Sequence, residues 1–158
     1  MTDLAECNRK FLLFQLQGSL YALDLAQVAE VDDPPQLWPI PGAPACYSGA
    51  VNIHGEIVAV MNLSVFLGTP GCIQPTKMIV LHQKIASLAF LVDTVVGIIP
   101  EADVSLRKPP ESGFASAVLS SSDGEAIQLD LEELVLSAGI SMQRSRQALI
   151  STCGIKKT

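Results

Sequence analysis

At 158 residues the chain is one domain or two small packed units. Hydrophobic residues make up 49% and charged residues only 16%, which points to sticky surfaces as well as a core. The formal charge of −6 is uneven: residues 140–158 hold Arg144, Arg146, Lys156 and Lys157 and no acid, so six basic residues face all 16 acids in 1–139, a body of −10 that is a poor partner for nucleic acid.

The opening segment, MTDLAECNRK, has no apolar core, so it does not read as a secretory leader. Phe11 to Leu16 reads as a strand, Gln17-Gly18-Ser19 as a turn, and Leu20 to Leu25 as the returning strand. Val28, Glu30 and Val31 suggest another short strand. Asp33 to Pro44 holds five prolines and reads as a rigid surface connection. Ser48 to Gly68 then runs strand, His54-Gly55 turn, strand and a short helix, with Asn62 placed to cap the helix and Gly68 to end it. Thr69 to Pro75 is a Gly/Pro linker, and it breaks the uncharged run well short of the ~20 apolar residues that a membrane helix needs.

Strands are expected at Met78–Leu81, Leu88–Val92 and Val95–Ile99, followed by a polar loop from Pro100 to Gly113. Ala115–Leu119 and Glu125–Leu129 form a second hairpin around Asp123-Gly124. Leu131, Leu134 and Val135 repeat the spacing of a short helix, with Asp130 at its start. Residues 140–158 read as a solvated basic tail. Cys7, Cys46, Cys72 and Cys153 form no CxxC pair, and with two histidines a zinc site is not expected; the thiols read as reduced, in the cytoplasm.

The order of elements occurs twice. YALDLAQVAEV (Tyr21 to Val31) lies over LAFLVDTVVGI (Leu88 to Ile98) without gaps, and HGEIVAVMNL (His54 to Leu63) over DGEAIQLDL (Asp123 to Leu131) with one residue deleted. Two repeats of about five short strands predict an all-β protein of two small barrels packed face to face.

At these residues the chain resembles the CheW family, the adaptor proteins of bacterial chemosensory arrays. The pieces that carry the resemblance are YALDLAQVAEV, PIPGAP, GAVNIHGEIVAVMNL, FLG, LVDTVVGI and GEAIQLDLEEL, in family order over about residues 10–137. Three positions depart from the family pattern: His54 stands for an arginine, Ala59 for a proline and Asn62 for a capping aspartate. Asn caps a helix much as Asp does, whereas histidine gives up a permanent charge and a forked donor.

The resemblance implies two SH3-like five-stranded β-barrel subdomains with short helices after each repeat. The domain spans 10–139, with subdomains at about 20–68 and 76–139, and the first strand, 10–17, packs with either. It implies a cytoplasmic, non-enzymatic adaptor without cofactor or metal. Such an adaptor couples the cytoplasmic tip of methyl-accepting chemoreceptors to the regulatory domain of a CheA-type histidine kinase, without entering the membrane. A diverged adaptor of a pilus or other non-flagellar system has the same fold. A small ligand-binding β-barrel is the alternative from another class, but scattered acids and two histidines supply few converging titratable groups.

Matched to the family, the receptor-groove candidates are Val28, Val31, Val95, Ile98 and Ile99, divided between core and groove. Glu30 and His54 are the candidates at the kinase-binding end; if they meet, they stand in for a carboxylate–arginine bridge. Trp38 is either an interface anchor or a lid on the nearby barrel. His82 reads as a hairpin end. Asp32-Asp33 and Glu132-Glu133 read as solvated faces, and Ser120-Ser121-Ser122 as loop.

Overall fold

The computed structural model describes residues 9–68, 74–109 and 114–140. Eleven strands are present in it: β1 (Lys10–Leu16), β2 (Ser19–Asp24), β3 (Val28–Asp32), β4 (Tyr47–Ile53), β5 (Glu56–Asn62), β6 (Lys77–Leu81), β7 (Leu88–Val92), β8 (Thr94–Pro100), β9 (Ser105–Arg107), β10 (Ala115–Ser121) and β11 (Gly124–Leu129). Helix α1 (Leu63–Leu67) follows β5, and helix α2, residues 131–140, follows β11. The linker residues 69–73, the cysteines 7, 72 and 153, and the tail beyond 140 lie outside the described residues.

The strands form two curled sheets, in the orders β8-β1-β2-β11-β10-β9 and β3-β6-β7-β5-β4. These two lists are one list. Replacing each strand of the first repeat (β1 to β5) by its counterpart in the second (β6, β7, β8, β10, β11) turns one order into the other. Registers agree to the residue. Leu13 pairs with Ala22 as Val80 pairs with Ala89, an offset of 67. The parallel contact Tyr21–Ile127 corresponds to Leu88–Ala59. Bulges recur as well, passing over Ala29 in β3 and Val96 in β8.

Sheet membership corrects the expected subdomain limits. Each repeat leaves its first hairpin in one sheet and sends its remaining strands to the other. The crossing after β2 is made by a single 3-10 turn, Leu25–Gln27, capped by Asp24 Oδ1, which accepts from the Ala26 amide at 3.0 Å. The five-stranded sheet is therefore the middle of the chain, not residues 20–68. The six-stranded sheet joins both flanks and takes in β1. Its sixth strand, β9, lies inside the span expected to be loop, and it pairs Leu106 with Leu119.

Alternation along the strands builds three cores. Phe11 and Leu13 point into the six-stranded barrel with Ala22, Leu119 and Ala126. Met78 and Val80, their counterparts, point into the five-stranded barrel with Val51, Val58 and Ala89. The residues between them, Leu12 and Phe14 on β1 and Ile79 and Leu81 on β6, meet in the largest cluster, which lies between the sheets. Phe90, Leu16 and Leu23 are wholly buried in it, and Leu134 and Ala138 of α2 close its edge. Each barrel alone is near the lower size limit of an independent core, and the shared layer adds to its burial.

The two helices start alike. Asn62 Oδ1 accepts from the Val65 amide, and Asp130 Oδ1 from the Glu133 amide, each at 3.3 Å. Phe66 of α1 stacks obliquely on Phe114 with ring centres 5.5 Å apart. The Tyr47 hydroxyl donates to the Ala138 carbonyl at 3.2 Å and fastens α2 to β4.

Candidate functional site

The β4–β5 hairpin turns on two residues with left-handed backbone, His54 (φ 51°) and Gly55 (φ 89°). This is a tight primed turn, whose twist suits the strands it joins. Asn52 Oδ1 accepts from the Gly55 amide at 2.9 Å and fixes the turn. Its counterpart between β10 and β11 is also two residues long, because Ser121 pairs with Gly124 as Ile53 pairs with Glu56. The deletion expected between the repeats is therefore absent, and the glycines that matched in sequence sit one position apart in space.

The turn carries His54 to β3. Its Nε2 lies 2.9 Å from Glu30 Oε1 and 3.2 Å from Oε2, so it addresses both carboxylate oxygens. The bulge at Ala29 sets Glu30 opposite Val80 and brings it under the turn. Glu30 is largely covered, with 28% of its side chain exposed, whereas the imidazole is 81% exposed. Two shallow depressions flank the pair. One, of about 390 Å³, is lined by Glu56, His82, Ile53 and Val58; the other, of about 550 Å³, by Asp32, Asp33, Pro35 and Met78. Lys77 Nζ holds Asp33 at 2.7 Å. His82 is exposed, starts the β6–β7 turn, and donates its amide to the Gln27 carbonyl at 3.0 Å.

Beside this end lies an apolar face. Trp38 exchanges both backbone bonds with Ala50, at 2.9 and 2.7 Å, which binds the proline-rich passage to the edge of β4. A side chain on Gly49 would come within 2.6 Å of the Trp38 carbonyl oxygen, so the contact requires glycine. Trp38 does not lid the barrel: 68% of it is exposed, as is 67% of Ile57. Sequence reasoning singled out Trp38 but missed Ile57, whose outward direction follows from strand alternation once the turn is placed.

The valine-rich set divides. Ile99 is 8% exposed and fills the interior of the six-stranded barrel, which removes it from the groove candidates. Val28, Val31 and Val95 are half-buried against the core between the sheets. Ile98 points outward, 56% exposed, and so does Val96 at 45%, a residue that sequence reasoning did not name. Asp32 and Asp33, like Glu132 and Glu133, are exposed. Cys46 is buried, and burial pushes its thiol pKa up. Among the described residues, no group of three His, Cys, Asp or Glu is placed to hold a metal ion, and no helix is long and apolar enough to cross a membrane.

Paired barrels with exposed apolar faces and a turn held by a His54–Glu30 hydrogen bond define a protein-binding scaffold. Comparison with known proteins gives the family. A CheW-like domain matches residues 10–138. The chemotaxis protein CheW of Thermotoga maritima is 30% identical over 142 residues, 85% of this chain and 94% of that protein. The Treponema pallidum chemotaxis protein CheW is 23% identical over 148 residues, 81% of this chain and 82% of its own. The crystal structure of the scaffolding protein TtCheW from Thermoanaerobacter tengcongensis superposes with a TM-score of 0.66 at 26% identity, over 77% of this chain and 88% of that one. The chain belongs to the CheW-like family of chemotaxis scaffold proteins.

Proposed function

We propose that the chain couples chemoreceptors to a CheA-type histidine kinase through two separate surfaces. The kinase's regulatory domain docks at the turn end of the five-stranded barrel, on His54 and Glu30 with Trp38 and Ile57 alongside. The cytoplasmic tip of a receptor, an amphipathic helix, lies against Ile98 with Val28, Val31 and Val95 beneath it. Coupling needs no chemistry of the adaptor's own, because holding two partners in one geometry shifts the kinase between its states.

The carrying observation is the His54–Glu30 contact, which fixes an exposed turn to the strand beneath it at 2.9 Å. A preformed face loses less ordering entropy when a partner docks. Calorimetric titration with the isolated regulatory domain tests the reading. His54→Ala and Glu30→Ala each weaken binding, and the double variant loses less than the sum of the two. Additive losses, or no binding by the unaltered chain, remove it. Ile98→Glu serves as the control, lowering capture by receptor arrays and leaving the kinase titration unchanged.

A further inference from the structure

We infer that His54 and Glu30 form a proton-operated latch on the docking end of the five-stranded barrel, so that coupling strengthens as pH falls from 8 to 6. The inference rests on the kinase-docking reading for its consequence, but not for its geometry.

Imidazole is the side chain whose ordinary titration falls between about pH 5 and 8. When it is protonated, Nε2–H donates to a carboxylate in a charge-assisted bond, here shared between two oxygens. When it is neutral, the proton sits on either ring nitrogen. With the proton on Nδ1, the Nε2 lone pair faces the Glu30 oxygens and the contact opens.

The carboxylates that face His54 favour the closed form at low pH, and His82 alone opposes it when protonated. Glu30 and Asp32 come from β3 and Asp33 from the segment after it; Glu56 comes from the partner strand of the hairpin, and His82 from the turn after β6. Lys77 is engaged with Asp33. A cation at His54 therefore enters a field of carboxylates. The other barrel has no such device, since Ser122 and Gly97 occupy the matched positions. Closing the latch holds the turn against β3 and presents one shape to a partner. Opening releases the His54 side chain from β3, while Asn52 still holds the turn itself.

The test uses the full chain and the kinase regulatory domain at pH 6 and pH 8. The unaltered chain binds about three-fold tighter at pH 6, the scale of an exposed pair. His54→Arg binds alike at both pH values, and His82→Gln keeps the dependence, which excludes the second histidine. A pH dependence that persists in His54→Arg, or one absent from the unaltered chain, overturns the latch. NMR of the free protein gives an independent reading. The amide resonances of Glu30 and Val31 move with the His54 imidazole between pH 5 and 8, and stay fixed in His54→Arg. If the regulatory domain binds at neither pH, the docking reading fails and these resonances alone decide the latch; amides that ignore the imidazole overturn it.

Discussion

The two barrels share strand order, register and bulges, yet their matched outer positions carry opposite chemistry. Against β10 lies Arg107, whose guanidinium pairs with Glu125 across the sheet. In the other barrel, Trp38 lies against β4 where Arg107 lies against β10, and Ile57 stands where Glu125 stands. The ion pair of one barrel is thus an exposed apolar pair in the other. The reverse holds at the turn, where the five-stranded barrel has His54 on Glu30 and its twin has Ser122 and Gly97. Interior positions, by contrast, stay apolar in both: Met78 for Phe11, Val80 for Leu13, Ala89 for Ala22. Packing constrains the inside of a duplicated fold, whereas the outside of each copy is free to diverge.

The comparison is tested most severely in the layer the barrels share. Phe90→Ala empties a wholly buried site between them and costs about 3–5 kcal/mol. Urea unfolding remains one transition if the barrels depend on that layer, and two transitions would show that they are separable. Next comes Gly49→Ala, at about 1–3 kcal/mol, because the new methyl meets the Trp38 carbonyl oxygen. Its counterpart in the six-stranded barrel is already an alanine, Ala117, so Ala117→Gly costs only about 0.5–1 kcal/mol by loosening the strand. Denaturation of the two variants side by side reads the difference. For the outer faces, Trp38→Ala lowers affinity for the kinase regulatory domain about ten-fold, near 1.4 kcal/mol, and leaves the melting temperature in place. Arg107→Ala changes that affinity less than about two-fold; equal losses from both variants would erase the distinction.

The smallest effect is alkaline. Burial pushes up the pKa of Tyr21 in one barrel, and those of Tyr47 and Cys46 in the other. The folded chain keeps these protons where the unfolded chain has begun to release them. Their contribution is therefore complete below the unfolded values, about 8.5 for a thiol and 10 for a phenol, and is lost as pH rises through the raised folded values. Tyr21 and Tyr47 are only partly buried, so their share of the decline between pH 8 and 10 stays below about 1 kcal/mol in urea midpoints.

Much of this was legible in the sequence, for reasons that differ by level. The gapless match of Tyr21–Val31 to Leu88–Ile98 is borne out residue by residue in the pairings, because register follows the buried face. The caps at Asn62 and Asp130 were legible from local chemistry alone. What did not show was which sheet each strand joins. Alternation tells a strand which face is buried but not against which neighbour, and both repeats carry the same alternation. Which members of the valine-rich set fall on the core side was hidden for a related reason: beyond the bulge at Val96, the outward face passes to Ile98 and Ile99 turns inside. β9 is three exposed residues with no apolar pattern to announce it. The meeting of His54 with Glu30 was a conjecture from likeness to a bridge; the bulge at Ala29 that realises it leaves no mark in the sequence.

The exchange of strands bears on how the molecule is made. Leu20 lies beside Ala126, so the β1–β2 hairpin finds its parallel neighbour only when almost the whole domain has been synthesised. The five-stranded sheet draws all its strands from residues 28 to 92 and can pair earlier, while the β1–β2 hairpin waits with both edges open, β1 for β8 and β2 for β11. A chaperone that shields nascent sheet edges would find its substrate in this interval, and a chain cut short after β7 would hold all the strands of one sheet beside an unclaimed ribbon, without the Leu129, Leu131 and Leu134 side of their shared layer.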